Sequence, residues 1–87
     1  MTYTVEFSDR AAKELRQLPR KAAVRISQKI QVLSDDPRPP GVEKLSGKEN
    51  IYRIRSGDYR IIYHIQDKIL HVLLLKIAHR REVYRDI

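Results

Sequence analysis

Residues 52–60 read Tyr-Arg-Ile-Arg-Ser-Gly-Asp-Tyr-Arg, and this stretch predicts a β-hairpin. Gly57-Asp58 is typical of a tight two-residue turn, and polar and apolar residues alternate on both sides of it. With that turn, Arg55 lies opposite Arg60, and Arg53 falls on the same face two residues earlier. We call this side of the sheet the arginine face. Several guanidinium groups on one face are suited to bind a phosphodiester.

The opposite side of the predicted hairpin is apolar and is expected to pack on helices. Its members occupy the alternate positions of the two strands: Tyr52, Ile54, Tyr59, Ile61, Tyr63 and Ile65. Their alternation indicates that these tyrosines are core residues rather than base-stacking residues. A third strand is predicted at 69–77, after a turn at 66–68. If that turn has three residues, Lys76 lies on the arginine face and His71 lies on the opposite one.

The first half of the chain predicts one strand and two helices. Residues 3–7 alternate with the two-residue period of a half-buried strand. Ser8-Asp9 then offers capping oxygens to a first helix that ends near Pro19. A second helix stops before Pro37, and 38–50 is predicted to be a long loop. The second helix carries one apolar stripe: Ala23, Ile26, Ile30 and Leu33.

The element order is therefore strand, helix, helix and a three-stranded antiparallel meander. This order predicts an α+β fold in which the helices cover one face of the sheet. We expect residues 1–87 to form a single domain, because the sequence shows no internal repeat, low-complexity tract or linker.

Charge favours a polyanionic partner for this chain. Eighteen lysines and arginines against eleven acidic residues give a net charge of +7. The outer helix faces carry basic residues that are either simply solvated or grip nucleic-acid phosphates, and the sequence leaves both interpretations open. These residues are Lys13, Arg16, Lys21, Arg25 and Lys29.

Several classes of site are excluded or disfavoured. The absence of cysteine excludes disulfides, thiol catalysis and zinc–thiolate centres. No apolar run has the length of a signal peptide or a membrane span, so we expect a cytoplasmic protein without a membrane partner. The histidines, His64, His71 and His79, lack acidic partners at ligand spacing. We therefore expect no metal and no cofactor.

Three stretches of the chain together resemble the RelE branch of the RelE/ParE toxin superfamily. They are the hairpin at 52–63, the preceding Lys-Leu-Ser-Gly at 44–47, and His-Arg-Arg-Glu-Val-Tyr-Arg at 79–85. The resemblance covers essentially the whole chain and implies a RelE-like microbial RNase fold. It also implies a toxin of a type II toxin–antitoxin system that cleaves mRNA in the ribosomal A site. That reaction is metal-independent and leaves a 2′,3′-cyclic phosphate and a 5′-hydroxyl.

The resemblance also implies a set of site residues. The cleft positions that match the family are Arg53, Arg55, Arg60, Arg80 and Tyr84. Arg60 is expected to stabilise the charged transition state, and Arg80, with Arg81 as the alternative, to donate a proton to the leaving 5′-oxygen. Tyr84 is expected to stack on a base or orient the attacking hydroxyl. Further RNA contacts are predicted at Lys76, Arg81, His79, Lys44 and Lys48.

One departure from the family concerns the general base. Well-known members have lysines where this chain has Arg53 and Arg55, and an arginine does not lose its proton in proteins. The base for the 2′-hydroxyl is therefore open among the Tyr84 phenolate, a histidine, and no protein group.

Two other functions stay open: a ParE-like toxin that poisons DNA gyrase without cutting, and a non-catalytic nucleic-acid-binding module. The resemblance further implies a RelB-like antitoxin whose amphipathic helix wraps the toxin. Ribosome, mRNA and, through the antitoxin complex, operator DNA complete the expected partners.

Overall fold

Both helices form where the sequence predicts them. In the computed structural model, which describes residues 2–79, helix α1 spans Asp9–Arg16 and helix α2 spans Arg20–Asp35. The Ser8 hydroxyl caps α1 by accepting a hydrogen bond from the Ala11 N–H at 3.0 Å. Three members of the predicted α2 stripe are buried, namely Ile26, Ile30 and Leu33.

Five strands build one mixed sheet. They are β1 (Thr4–Phe7), β2 (Glu43–Lys44), β3 (Ile51–Ser56), β4 (Tyr59–Gln66) and β5 (His71–His79). Their order across the sheet is β1-β5-β4-β3-β2. β1 pairs with β5 in parallel, and all other pairs are antiparallel. The predicted α+β class is confirmed, and the sheet has two features that the sequence analysis lacked.

The first of these features is β2, a two-residue strand inside the stretch that was predicted to be a loop. Glu43 pairs with Arg53, and Lys44 pairs with Tyr52. β3 and β4 were predicted from alternating polar and apolar residues, and a two-residue strand is too short to show that alternation.

The second feature is a bulge between β4 and β5. Pairing runs from Gln66–His71 to Tyr63–Leu74 and resumes at Ile62–Lys76, which leaves Leu75 as an extra residue in β5. The β4–β5 connection holds four residues, 67–70, rather than three.

The longer β4–β5 connection and the Leu75 bulge each shift the register of β5 by one residue, and the bulge reverses the effect of the connection on which face the side chains occupy. The longer connection turns His71 to the arginine face, so the prediction that His71 lies on the opposite face was wrong. The bulge then restores the expected facing, and Lys76 lies on the arginine face as predicted. β5 accordingly spans 71–79 instead of 69–77.

The core lies between the helices and the apolar side of the sheet. Its largest fully buried side chain is Tyr63, which donates a 2.7 Å hydrogen bond to the Pro37 carbonyl oxygen. Burial raises the pKa of the Tyr63 phenol. Tyr52 stacks on Tyr63 with ring centroids 6.1 Å apart, so both tyrosines are core residues, as predicted.

The N-terminal strand is less buried than its alternation indicates. Val5 is half-buried, but Phe7 at the end of β1 is 39% exposed. Within residues 2–79, no helix combines the length and the apolar character that crossing a membrane requires.

Candidate nucleic-acid interface

The hairpin β3–β4 brings three predicted site residues to one face. Arg55 pairs directly with Arg60, Ser56 pairs with Tyr59, and Arg53 pairs with Ile62, which is the predicted register. The turn is possible because Gly57 adopts a φ of 61°. Two like charges directly opposite each other destabilise a sheet unless solvent or a bound anion relieves the repulsion.

The three arginines have different surroundings. The Arg53 side chain is only 15% exposed, and its Nη2 lies 3.2 Å from a carboxylate oxygen of Glu43. Arg55 is exposed. Arg60 is half-buried, and its Nη1 donates to the Tyr59 carbonyl oxygen at 3.4 Å. Arg53 is therefore held in place by β2, whereas Arg55 is open to solvent.

Glu43 is a neighbour of the site that no pattern in the sequence predicts. Its carboxylate reaches Arg53 because β2 places the two residues in register. A salt bridge at this position orients the guanidinium and partly offsets the positive charge of the face.

Lys76 joins the arginine face from the neighbouring strand. It pairs with Ile62 and is 4% exposed, which is unusual for a lysine. The bulge at Leu75 directs it to this face. The predicted placement of Lys76 therefore holds, while its role as an RNA contact stays a prediction.

His79 lies at the end of β5, against Tyr59. The two rings pack edge to face with centroids 5.6 Å apart and an interplanar angle of 81°. His79 thus sits at the hairpin end of the sheet but on the helix side, because it pairs with Tyr59, and its predicted role as an RNA contact stays a prediction.

The other two histidines, unlike His79, lie on the arginine face, farther along the sheet. His71 Nε2 is 2.7 Å from a carboxylate oxygen of Glu6. His64 pairs with Ile51 and Leu73. Among residues 2–79 no cluster of three side chains has the composition and geometry to hold a metal ion.

Lys44 and Lys48 are not brought to the arginine face. Lys44 pairs with the core residue Tyr52, so its side chain lies on the helix side of the sheet edge, and it is exposed. Lys48 lies exposed in the loop that follows β2. Arg80, Arg81 and Tyr84 lie outside the described residues, and their predicted roles stay predictions.

A second basic surface lies beside the hairpin turn. A pocket of about 310 Å³ is lined by Lys21 and Arg25 of α2, by Gly57 and Asp58 of the turn, and by Tyr59. Lys13, Arg16, Lys21 and Arg25 are exposed, and Lys29 is half-buried. Cations therefore surround the hairpin end of the molecule on both sides of the sheet.

The fold and the arginine face together define a class: a small basic α+β protein in which the sheet face opposite the helices gathers several cations. A family model described as "ParE toxin of type II toxin-antitoxin system, parDE" matches residues 5–84. The chain belongs to this family of type II toxins, within the RelE/ParE superfamily.

Individual relatives carry RelE-type names. The toxin RelG of Mycobacterium tuberculosis is 33% identical over 86 residues, with 98% of this chain and 99% of the relative covered. The mRNA interferase toxin RelE of Escherichia coli is 31% identical over 90 residues, with 99% and 94% covered.

A solved structure confirms the fold. A chain of the archaeal RelE–RelB complex from Pyrococcus horikoshii superposes with a TM-score of 0.81 at 34% identity. The superposition covers 92% of this chain and 97% of that chain. The resemblance inferred from the hairpin and the flanking motifs is thus confirmed at the level of the family.

Proposed function

We propose that this protein is the toxin of a toxin–antitoxin pair and cleaves mRNA in the ribosomal A site. The observation that carries the proposal is the direct pairing of Arg55 with Arg60 on the sheet face opposite the helices, with Arg53 and Lys76 beside them. The name of the E. coli relative, mRNA interferase, supports the same reaction class.

In the proposed reaction the ribose 2′-oxygen bonds to the adjacent phosphorus as the bond from phosphorus to the 5′-oxygen breaks. The 2′-hydroxyl loses a proton and the leaving 5′-oxygen gains one, so the products are a 2′,3′-cyclic phosphate and a 5′-hydroxyl. The proposed reaction requires no metal ion and no cofactor.

The arginines suit the charge that this step develops. Negative charge builds on the non-bridging phosphate oxygens, and guanidinium groups held in place before the reaction stabilise that charge. Arg60 is assigned this role because it is half-buried and its Nη1 is hydrogen-bonded to the backbone. Arg55, opposite it and exposed, binds the substrate phosphate. Arg80, with Arg81 as the alternative, is assigned to the leaving 5′-oxygen, and Tyr84 to substrate orientation. Because an arginine keeps its own proton, its guanidinium stabilises that oxygen by hydrogen bonding, and the proton released by the 2′-hydroxyl returns to it through water.

The proposed partner is a RelB-like antitoxin. Its support is the group of structural relatives that were solved as RelE–RelB complexes. Occlusion of the cationic face by such an antitoxin would silence the toxin, and we propose that the complex binds its own operator DNA.

A cleavage assay tests the reaction directly. Purified protein is added to 5′-labelled mRNA on programmed ribosomes with an empty A site, with free mRNA and EDTA as controls. We expect cuts on the ribosome only, unchanged by EDTA and ending in a 2′,3′-cyclic phosphate. Intact mRNA in the presence of folded protein would contradict the proposal.

The family description, which names ParE, favours one second candidate: inhibition of DNA gyrase. Supercoiling by purified gyrase in the presence of this protein distinguishes the two. Inhibition of supercoiling together with intact mRNA would establish the gyrase function instead.

A further inference from the structure

Among residues 2–79, the second half of β5 pairs with no strand on the side of β1. β1 pairs with β5 only from His71 to Leu74. Beyond Leu74, side chains from the start of the chain take the place of a strand. This half of β5 carries Lys76 and His79, and the chain then continues directly to Arg80.

Ser8 makes two bonds to the bulge. Its backbone N–H donates to the Leu74 carbonyl oxygen at 2.9 Å, and its hydroxyl donates to the Leu75 carbonyl oxygen at 3.2 Å. In a regular strand successive carbonyl groups point to opposite edges, so two consecutive carbonyls facing one residue require the bulge. The same hydroxyl accepts from the Ala11 N–H at the start of α1.

Glu14 makes the third bond. Its carboxylate oxygen Oε1 accepts from the Ile77 N–H at 2.8 Å, across a sequence separation of 63 residues. The other oxygen, Oε2, lies 3.4 Å from Nε of Arg10 one helical turn earlier. The Glu14 side chain is 23% exposed, so this bond to a strand amide is largely shielded from water. A buried amide that loses such an acceptor is costly to leave unpaired.

We propose that Ser8 and Glu14 are positioning residues for the cationic site, because they hold the β5 bulge in the register that places Lys76 on the arginine face. We call these two side chains the bulge clamp. A one-residue slip that removed the bulge would pair Leu75 with Ile62 and turn Lys76 to the helix side. The clamp binds the backbone on both sides of Lys76, at Leu75 and at Ile77, and so opposes that slip.

The expected effect of Glu14 variants on mRNA cleavage rests on the proposed function, whereas the role of the bulge clamp in holding β5 does not. Glu14→Ala should lower the single-turnover cleavage rate by about 10- to 100-fold, as small misplacements of a group that positions the substrate do. Ribosome affinity should stay within about 3-fold, because Glu14 belongs to α1, which packs on the side of the sheet opposite the arginine face. Glu14→Gln keeps an acceptor for the Ile77 amide and should recover most of the rate. Glu49→Ala, which removes an exposed carboxylate in the loop before β3, is the matched control.

A double-mutant cycle separates positioning from a general loss of stability. If Glu14 acts through Lys76, then in a Lys76→Ala background the Glu14→Ala change should lower the rate by less than about 2-fold. An equal loss in both backgrounds would contradict the proposal.

Amide hydrogen exchange tests the clamp without cleavage. The Ile77 amide should be protected in the wild-type protein and should exchange at least about 10-fold faster in Glu14→Ala, or in Glu14→Leu if the alanine variant does not fold. Rapid exchange of the Ile77 amide in the wild-type protein would overturn the inference. If wild-type protein exchanges as expected but cleaves no mRNA, the proposed function fails and the clamp stands.

Discussion

Arg55 and Arg60 face each other across β3 and β4 without an ion-pair partner among residues 2–79. Arg53, two residues from Arg55, has Glu43 at 3.2 Å. The repulsion between like charges is therefore greatest between Arg55 and Arg60, at the position where a substrate phosphate is expected. Loss of one of these charges would favour the stability of the fold, whereas phosphate binding requires both.

Removal of one of the paired charges should therefore stabilise the fold. Arg55→Gln should raise the free energy of unfolding by about 0.2–1 kcal/mol, the range of a cross-strand pair, and should weaken RNA binding. Urea unfolding at low and high salt measures the stability change, which should shrink as salt screens the repulsion. A destabilised Arg55→Gln protein at low salt would refute this account of the pair.

Tyr63 connects the core to the loop after α2 through its hydroxyl. Tyr63→Phe leaves the buried Pro37 carbonyl without its 2.7 Å donor and should cost about 1–3 kcal/mol of unfolding free energy. Tyr59→Phe is the control, since the half-buried Tyr59 hydroxyl has no such hydrogen bond in residues 2–79, and it should cost less than about 0.5 kcal/mol. Equal costs in urea unfolding would show that the bond to Pro37 contributes nothing.

At the scale of the element, the β3–β4 turn depends on one glycine. A Cβ at Gly57 would contact only Nη1 of Arg25, at an ordinary 3.9 Å, so space does not oppose a substitution. The φ of 61° does oppose one, and Gly57→Ala should cost roughly 1 kcal/mol in urea unfolding. Gly57→Asn should cost less, because asparagine tolerates this region better. If alanine and glycine proteins unfold at the same urea concentration, the turn does not constrain the hairpin.

At the opposite end of the sheet, Arg38 ties the loop after α2 to the β4–β5 connection. Its guanidinium donates two hydrogen bonds to Asp67, at 2.8 and 3.0 Å, and its Nε donates to the Tyr52 hydroxyl. The Tyr3 hydroxyl also donates to Asp67, at 2.7 Å. These bonds, chiefly those from Arg38, lower the pKa of Asp67 from 3.8 to about 2.

The interaction between Arg38 and Asp67 makes the free energy of unfolding depend on pH. Because the folded pKa of Asp67 lies below its unfolded value, its contribution is fully present above about pH 4 and is lost as the pH falls toward 2. The melting temperature of wild-type protein should therefore exceed that of Asp67→Asn at pH 6, and the difference should shrink between pH 4 and pH 2. A difference that is constant over this range would exclude the Arg38–Asp67 tie as its source.

The elements also show what the sequence could and could not predict. The β3–β4 register followed from alternation and a glycine turn, and the start of α1 followed from a capping serine, because both signals are local. The two-residue β2, the Leu75 bulge and the bond from Glu14 to Ile77 depend on residues far apart in the chain. No local pattern carries them. The facing of His71 was predicted wrongly because the β4–β5 connection has four residues rather than three.

For the molecule as a whole, the sheet separates two tasks. One side buries the core against both helices, and the other gathers cations from β3, β4 and β5. The net charge of +7 acts in the same direction, since it attracts the protein to polyanions such as ribosomal RNA before any specific contact forms.

The most direct test of the account is single-turnover mRNA cleavage on programmed ribosomes by wild-type protein and by Arg60→Ala, with ribosome affinity measured in parallel. Lys68→Ala, which removes a cation at the far end of the sheet, is the matched control. We predict that Arg60→Ala lowers the cleavage rate by about 10²- to 10³-fold while affinity changes little and Lys68→Ala cleaves normally. Cleavage by Arg60→Ala at the wild-type rate would contradict a catalytic arginine face.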